Sequence, residues 1–179
     1  MKRRMLSLLL IAVVVLGMLP TTVLAAPAQN GGIYQISTAE DLLWFAQKVN
    51  AGGTGIKGML TADIDLSDVS DWPGIGTTSN PFSGTFDGQG YTVTFKDSNV
   101  GLFGVIMGSR SNLATIENVV TAGSIKNAGF AAVAGFVQFR NCINRATITS
   151  AYSRLAKICD TVIEVTAGRA IIHKGELNL

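Results

Sequence analysis

The sequence predicts an all-β chain: a parallel β-helix closed at its amino-terminal end by an α-helical cap and preceded by a helical signal peptide. Three observations carry this expectation. After one amphipathic stretch, short segments rich in β-branched residues follow one another, bounded by Gly, Asn, Asp or Pro, with no room for crossover helices. Several of these segments superpose at one fixed interval, that from Asn118 to Asn141. Only 15% of the residues are charged and 20 are glycine, a mixture that favours strands and tight turns over a helical bundle.

The first element, residues 1–25, has the order of a secretory signal. Lys2, Arg3 and Arg4 precede an uncharged run from Met5 to Leu19, and Pro20 leads into small residues ending at Ala25 and Ala26. Val23 and Ala25 suit the recognition pockets of a signal peptidase, which places cleavage after Ala25, with Ala26 as the alternative. An uncleaved anchor is the competing reading, but the apolar run is shorter than the roughly 20 residues that span a bilayer. Export places the chain outside the cytoplasm, secreted or at the cell surface. It also changes the charge balance: three of the 14 basic residues leave and all 12 acids stay, so the mature chain nets about minus one. That balance offers no attraction to nucleic acid or to an anionic membrane beyond the signal itself.

Residues 26–37 form a polar leader and a first strand, GGIYQI. Ser37-Thr38-Ala39-Glu40 has the form of a capping box, and Leu42, Phe45, Ala46 and Val49 recur at helical spacing until Gly52-Gly53 stops the run. This is the capping helix, within residues 38–53. Residues 54–149 carry the strand segments, among them MLTADIDL, TFDGQGYTVTF, ATIENVVTAGSI and NCINRATITS. Val93, Ile116 and Phe139 are evenly spaced, and the same interval separates Asn118 from Asn141 and Ile125 from Ile148. One β-helix coil takes about that length of chain, and asparagines stacked in successive turns can hydrogen-bond along the stack. The helix would then cover the open edge of the first coil.

The order DWPGIGTTSNPFSGTFDGQGYTVTF, GLFG at 101–104, IENVVTAGSI and NCINRATI resembles bacterial surface proteins that carry GLUG-type repeats. The resemblance covers about residues 33–149 and implies a right-handed, pectate-lyase-like parallel β-helix acting as a scaffold or adhesive surface. No catalytic residue set comes with it. Residues 150–179 depart from the pattern and are expected to be an irregular tail, the end of a truncated or frame-shifted piece of a larger surface protein. One further irregular coil is the alternative, because Val162 and Ile171 follow Phe139 and Ile148 at that same interval.

The candidates for chemistry are few. Asp63 and Asp65 alternate along an expected strand, with Asp68 and Asp71 close behind, and oxygen ligands so placed could hold calcium. The competing reading is a solvated strand face with Asx turns. Asp87 could join Asp63 and Asp65 as a catalytic acid, although Asp87-Gly88 is first a turn former. Trp72, Tyr91 and Phe95 could offer flat faces to sugar rings, or simply pack. His173 has no nucleophile identifiable by motif, and Gly74-Ile75-Gly76 and Gly88-Gln89-Gly90 open no helix after a strand, as a dinucleotide fingerprint would. Cys142 and Cys159 could pair in an oxidising compartment; Cys142 could equally be a small buried side chain. No cofactor other than calcium is implied. The functional expectation is an adhesive or structural surface module whose partner is a surface glycan or an extracellular host protein. The alternative is a polysaccharide lyase or hydrolase using Asp63, Asp65 and Asp87.

Overall fold

The computed structural model describes residues 24–126, 131–148, 162–166 and 169–173. A short antiparallel hairpin, β1 (Gln29–Asn30) with β2 (Ile33–Ile36), leads into helix α1 (Ala39–Asn50). Strands β3 (Lys57–Leu60), β4 (Ile64–Asp65), β5 (Thr85–Asp87), β6 (Thr92–Ser98), β7 (Phe103–Met107), β8 (Ala114–Glu117) and β9 (Val120–Ile125) follow. After them come β10 (Ala131–Gly135), β11 (Val137–Arg140), β12 (Ile143–Asn144) and β13 (Thr147–Ile148), then β14 (Val162–Thr166) and β15 (Arg169–His173).

The strands before β14 sort into three mostly parallel sheets. One runs β1-β2-β3-β5-β8-β11, a second β4-β6-β9-β12 with β13 also on β9, and a third pairs β7 with β10. A row of side chains from each sheet fills one core, including Ile36, Leu60 and Phe86, then Ile64 and Val93, then Phe103 and Ile106.

This arrangement overturns the expectation of an all-β parallel β-helix: the protein is mixed α/β. Helix α1 belongs to the core itself, with Leu42, Phe45, Ala46 and Val49 wholly buried. The Phe45 ring sits where a side chain at Gly58 would stand, so the helix shares one layer with the strands beneath it. Nor do the strands repeat at a constant interval. In the first sheet Ile33 pairs with Lys57, Lys57 with Thr85, Thr85 with Thr115 and Thr115 with Gln138. The step along the chain lengthens through the first three pairings and contracts at the fourth. Val93, expected to stack on Ile116, lies in the second sheet between Ile64 and Thr121. Ile116 lies in the first, between Phe86 and Phe139. The constant interval is real only for the last pairings, Phe139 on Ile116, Ile143 on Val120 and Ile148 on Ile125. Strands β14 and β15 pair antiparallel with each other, and β14 lies close alongside β11, the last strand of the first sheet.

The helix start also differs in detail. Thr38 is the N-cap: its side chain accepts from the Asp41 N–H at 3.1 Å, while Asp41 reaches back to the Thr38 N–H. The capping box is thus Thr38 with Asp41, one residue beyond the Ser37–Glu40 pair. Ser37 contributes by donating its N–H and hydroxyl to the same Asp41 carboxylate. The expected signal peptide, residues 1–25, lies outside the described residues except for its last two positions. Among the described residues no helix is long and apolar enough to cross a membrane.

Candidate functional site

The carboxylates singled out in the sequence serve the backbone. Asp63 stands just before β4, not within it, and accepts the Thr92 N–H at 2.8 Å, which fixes the start of the neighbouring strand β6. Asp65 accepts the N–H of Ser67 at 2.8 Å and its hydroxyl at 2.5 Å, an Asx-type turn. The hydroxyl bond, then the backbone one, holds the exposed Asp65 carboxyl below the usual aspartate range. A carboxyl lowered in this way favours the folded state at pH values above its ordinary range, and that contribution fades as pH falls through it. Asp63 and Asp65 therefore face different partners. Asp68 and Asp71 bring no further ligands to them: among the described residues no three His, Cys, Asp or Glu side chains gather as a metal-binding group.

Asp87 makes the turn expected of it and also does more. Its Oδ1 accepts the Gln89 N–H at 2.9 Å, and its Oδ2 accepts a short hydrogen bond from the Gln89 side-chain amide. The same Oδ1 takes the Asn118 Nδ2 at 3.0 Å, and Asn118 Oδ1 in turn takes the Asn141 Nδ2 at 3.1 Å. Each of these residues ends, or directly follows, a strand of the first sheet, so parallel pairing of β5, β8 and β11 sets the three side chains one above another. The expected stacking of Asn118 and Asn141 is present, and Asp87 anchors it. Gln89, Asn118 and Asn141 all have left-handed backbones, with φ of 52°, 53° and 49°. Asparagine tolerates that region better than most residues, which accounts for its place at two of the three turns.

Beside this ladder lies an open depression of about 440 Å³ lined by Gln89, Gly90, Asn118, Val120, Asn141 and Ile143. The sequence drew attention to the two asparagines, and to Gln89 only within a glycine triplet set aside as no dinucleotide fingerprint, but not to Val120 or Ile143. Nothing in the local pattern marks them, because they meet only through pairing across β5, β8 and β11 and across β9 and β12. Of the aromatic candidates, Trp72 and Phe95 are buried against each other, and the Trp72 Nε1 donates to the Gly101 carbonyl at 2.9 Å. Tyr91 is the exposed one.

Cys142 is a free thiol, 7% exposed. Burial is the main cause that pushes its pKa up to about 12 from an ordinary value near 9. Cys159 lies outside the described residues, and the side chain of His173 is likewise outside the description. Because the thiolate is disfavoured in the fold, Cys142 contributes stability in full below about pH 9, and this is lost as pH rises toward 12. Native protein at pH 8 is expected to leave Cys142 unmodified by iodoacetamide, while denatured protein is modified fully; mass mapping of the peptide that contains it decides the matter. Rapid labelling of the native chain would show that this packing is wrong.

No family model, no curated protein and no solved structure matches this chain, so the resemblance in motif order has no matched relative behind it.

Proposed function

We propose that the chain is an exported, non-catalytic surface module with a structural or adhesive role, contacting a glycan or an extracellular protein. One observation supports the reading: each of the three carboxylates singled out for chemistry gives at least one oxygen to the framework, and the three do not gather into one group. Asp63, Asp65 and Asp87 each accept a backbone N–H, at 2.8, 2.8 and 2.9 Å, and so define strand starts and turns. A general acid or a calcium ligand has to present its oxygens to substrate or ion. The basic amino terminus followed by an apolar run and small residues supports export.

The test is to express the full chain, recover it from the culture medium, and compare it with Asp63→Asn, Asp65→Asn and Asp87→Asn variants. The expected result is a released protein with no turnover of polygalacturonate with or without calcium. The substitutions should lower the melting temperature, because each weakens a charge-assisted hydrogen bond to the framework. Calcium-dependent cleavage abolished by Asp63→Asn or Asp65→Asn would establish the enzyme instead. Retention inside the cell would remove the surface role.

A further inference from the structure

We infer that the depression beside the Asp87–Asn118–Asn141 ladder is a binding site for an uncharged polysaccharide, a reading that rests on the adhesive role proposed above and names its ligand class. The lining is the first reason. Three side-chain amides, from Gln89, Asn118 and Asn141, stand with the apolar Val120 and Ile143 and with Gly90, and no lining residue is charged. Amides supply both donors and acceptors, as a sugar hydroxyl requires, and apolar side chains suit the C–H faces of a pyranose ring. An acidic polymer would find no cation among these residues.

The second reason is that the amides are held in place but not used up. An asparagine amide has two N–H donors and an oxygen with two lone pairs. Asn118 spends one donor on Asp87 and one lone pair on Asn141, and Asn141 spends one donor on Asn118. Each keeps hydrogen-bonding capacity while its rotamer is fixed by the ladder, and groups fixed before binding cost less entropy to engage. All bonds in the ladder run toward the Asp87 carboxylate, so that charge polarises the chain of amides in one direction.

The third reason is that turns converge at this place: among the described residues, three of the five non-glycine residues with left-handed φ, namely Gln89, Asn118 and Asn141, line this depression. Tyr91 adjoins the depression: it follows Gly90, its carbonyl accepts the Val120 N–H at 3.3 Å, and it is 37% exposed. An exposed aromatic one residue along the chain from the lining could extend the contact to a sugar ring.

Affinity electrophoresis of the full chain through gels containing dextran, mannan or hydroxyethyl cellulose tests this, with polygalacturonate as the charged comparison. The inference expects retardation by at least one neutral polymer, weakened at least tenfold in Tyr91→Ala and in Gln89→Ala. A retained cooperative melting transition should show that the variants remain folded, with a modest fall for Gln89→Ala from loss of its bond to Asp87, and Gln47→Ala on the exposed side of α1 should bind as the parent does. Retardation by polygalacturonate alone, neutral-polymer binding that neither variant alters, or no retardation by any neutral polymer would each overturn it. Capture of an extracellular protein without any polysaccharide binding would overturn this site while leaving the adhesive role standing; failure of export would do the reverse.

Discussion

Replacing Phe45 with alanine is expected to destabilise the protein by roughly 3–5 kcal/mol, the range for removing a large buried aromatic side chain. Phe45 is wholly buried on α1, and its ring lies 5.7 Å from that of Phe86, 6.0 Å from Phe82 and 6.1 Å from Tyr34. Phe86 and Phe82 each lie 5.6 Å from Phe103, so one aromatic cluster joins the helix, the first sheet and the third. The space for the ring exists because residue 58 is glycine; a Cβ there would stand 2.8 Å from the Phe45 ring. Collapse into the vacated volume would require strand backbone to move, which parallel pairing on both sides of β3 resists. Chemical denaturation followed by circular dichroism should show the loss, with exposed Gln47→Ala within about 0.5 kcal/mol of the parent. A loss below about 1 kcal/mol for Phe45→Ala would mean that the helix is peripheral to the core.

Gly123→Ala is expected to cost a comparable amount by a different route. Gly123 lies in β9 opposite Phe95, with φ of 88°, and an added Cβ would approach the Phe95 carbonyl oxygen to 1.9 Å. The left-handed backbone alone costs an alanine about 1–2 kcal/mol. The overlap with a strand carbonyl adds about 1–3 kcal/mol or forces β6 and β9 apart. Gly90→Ala separates the two contributions, since Gly90 has φ of 82° but nothing within 4 Å of its Cβ position. It should therefore lose only the conformational part. Equal losses at the two positions would show that the close approach in β9 contributes nothing.

Much of the candidate site was legible before the structure. Asp87-Gly88 announced a turn, and the repeat interval placed Asn141 over Asn118, because turn chemistry and the last sheet step both depend on short stretches of chain. The depression itself was not legible. Val120 and Ile143 come to it from the second sheet, and Gln89 from the turn after β5, so it exists only once two sheets are aligned. The buried pair of Thr121 and Asn144 was equally hidden. Thr121 continues the column of Ile64 and Val93, and its hydroxyl donates to Asn144 at 2.9 Å, an exchange of packing for hydrogen bonding that no apolar pattern announces.

What the sequence alone determined was local. The buried stripe of Leu42, Phe45, Ala46 and Val49 and the punctuation between strands follow from periodicity or turn preference within a few residues, and the asparagine pair from the one repeat step that the last coil keeps. What only the tertiary structure decided was which strand lies beside which. Loops of unequal length make the successive steps of the first sheet unequal, from Ile33 to Lys57, Thr85, Thr115 and Gln138. An equal spacing can therefore link residues of different sheets, as it linked Val93 to Ile116. Tertiary packing also took the helix into the core, and the chain became mixed α/β. The physical reason is that burial rewards the whole surface a segment can cover, and Phe45 found its surface over Gly58, a contact between positions with no spacing rule to connect them.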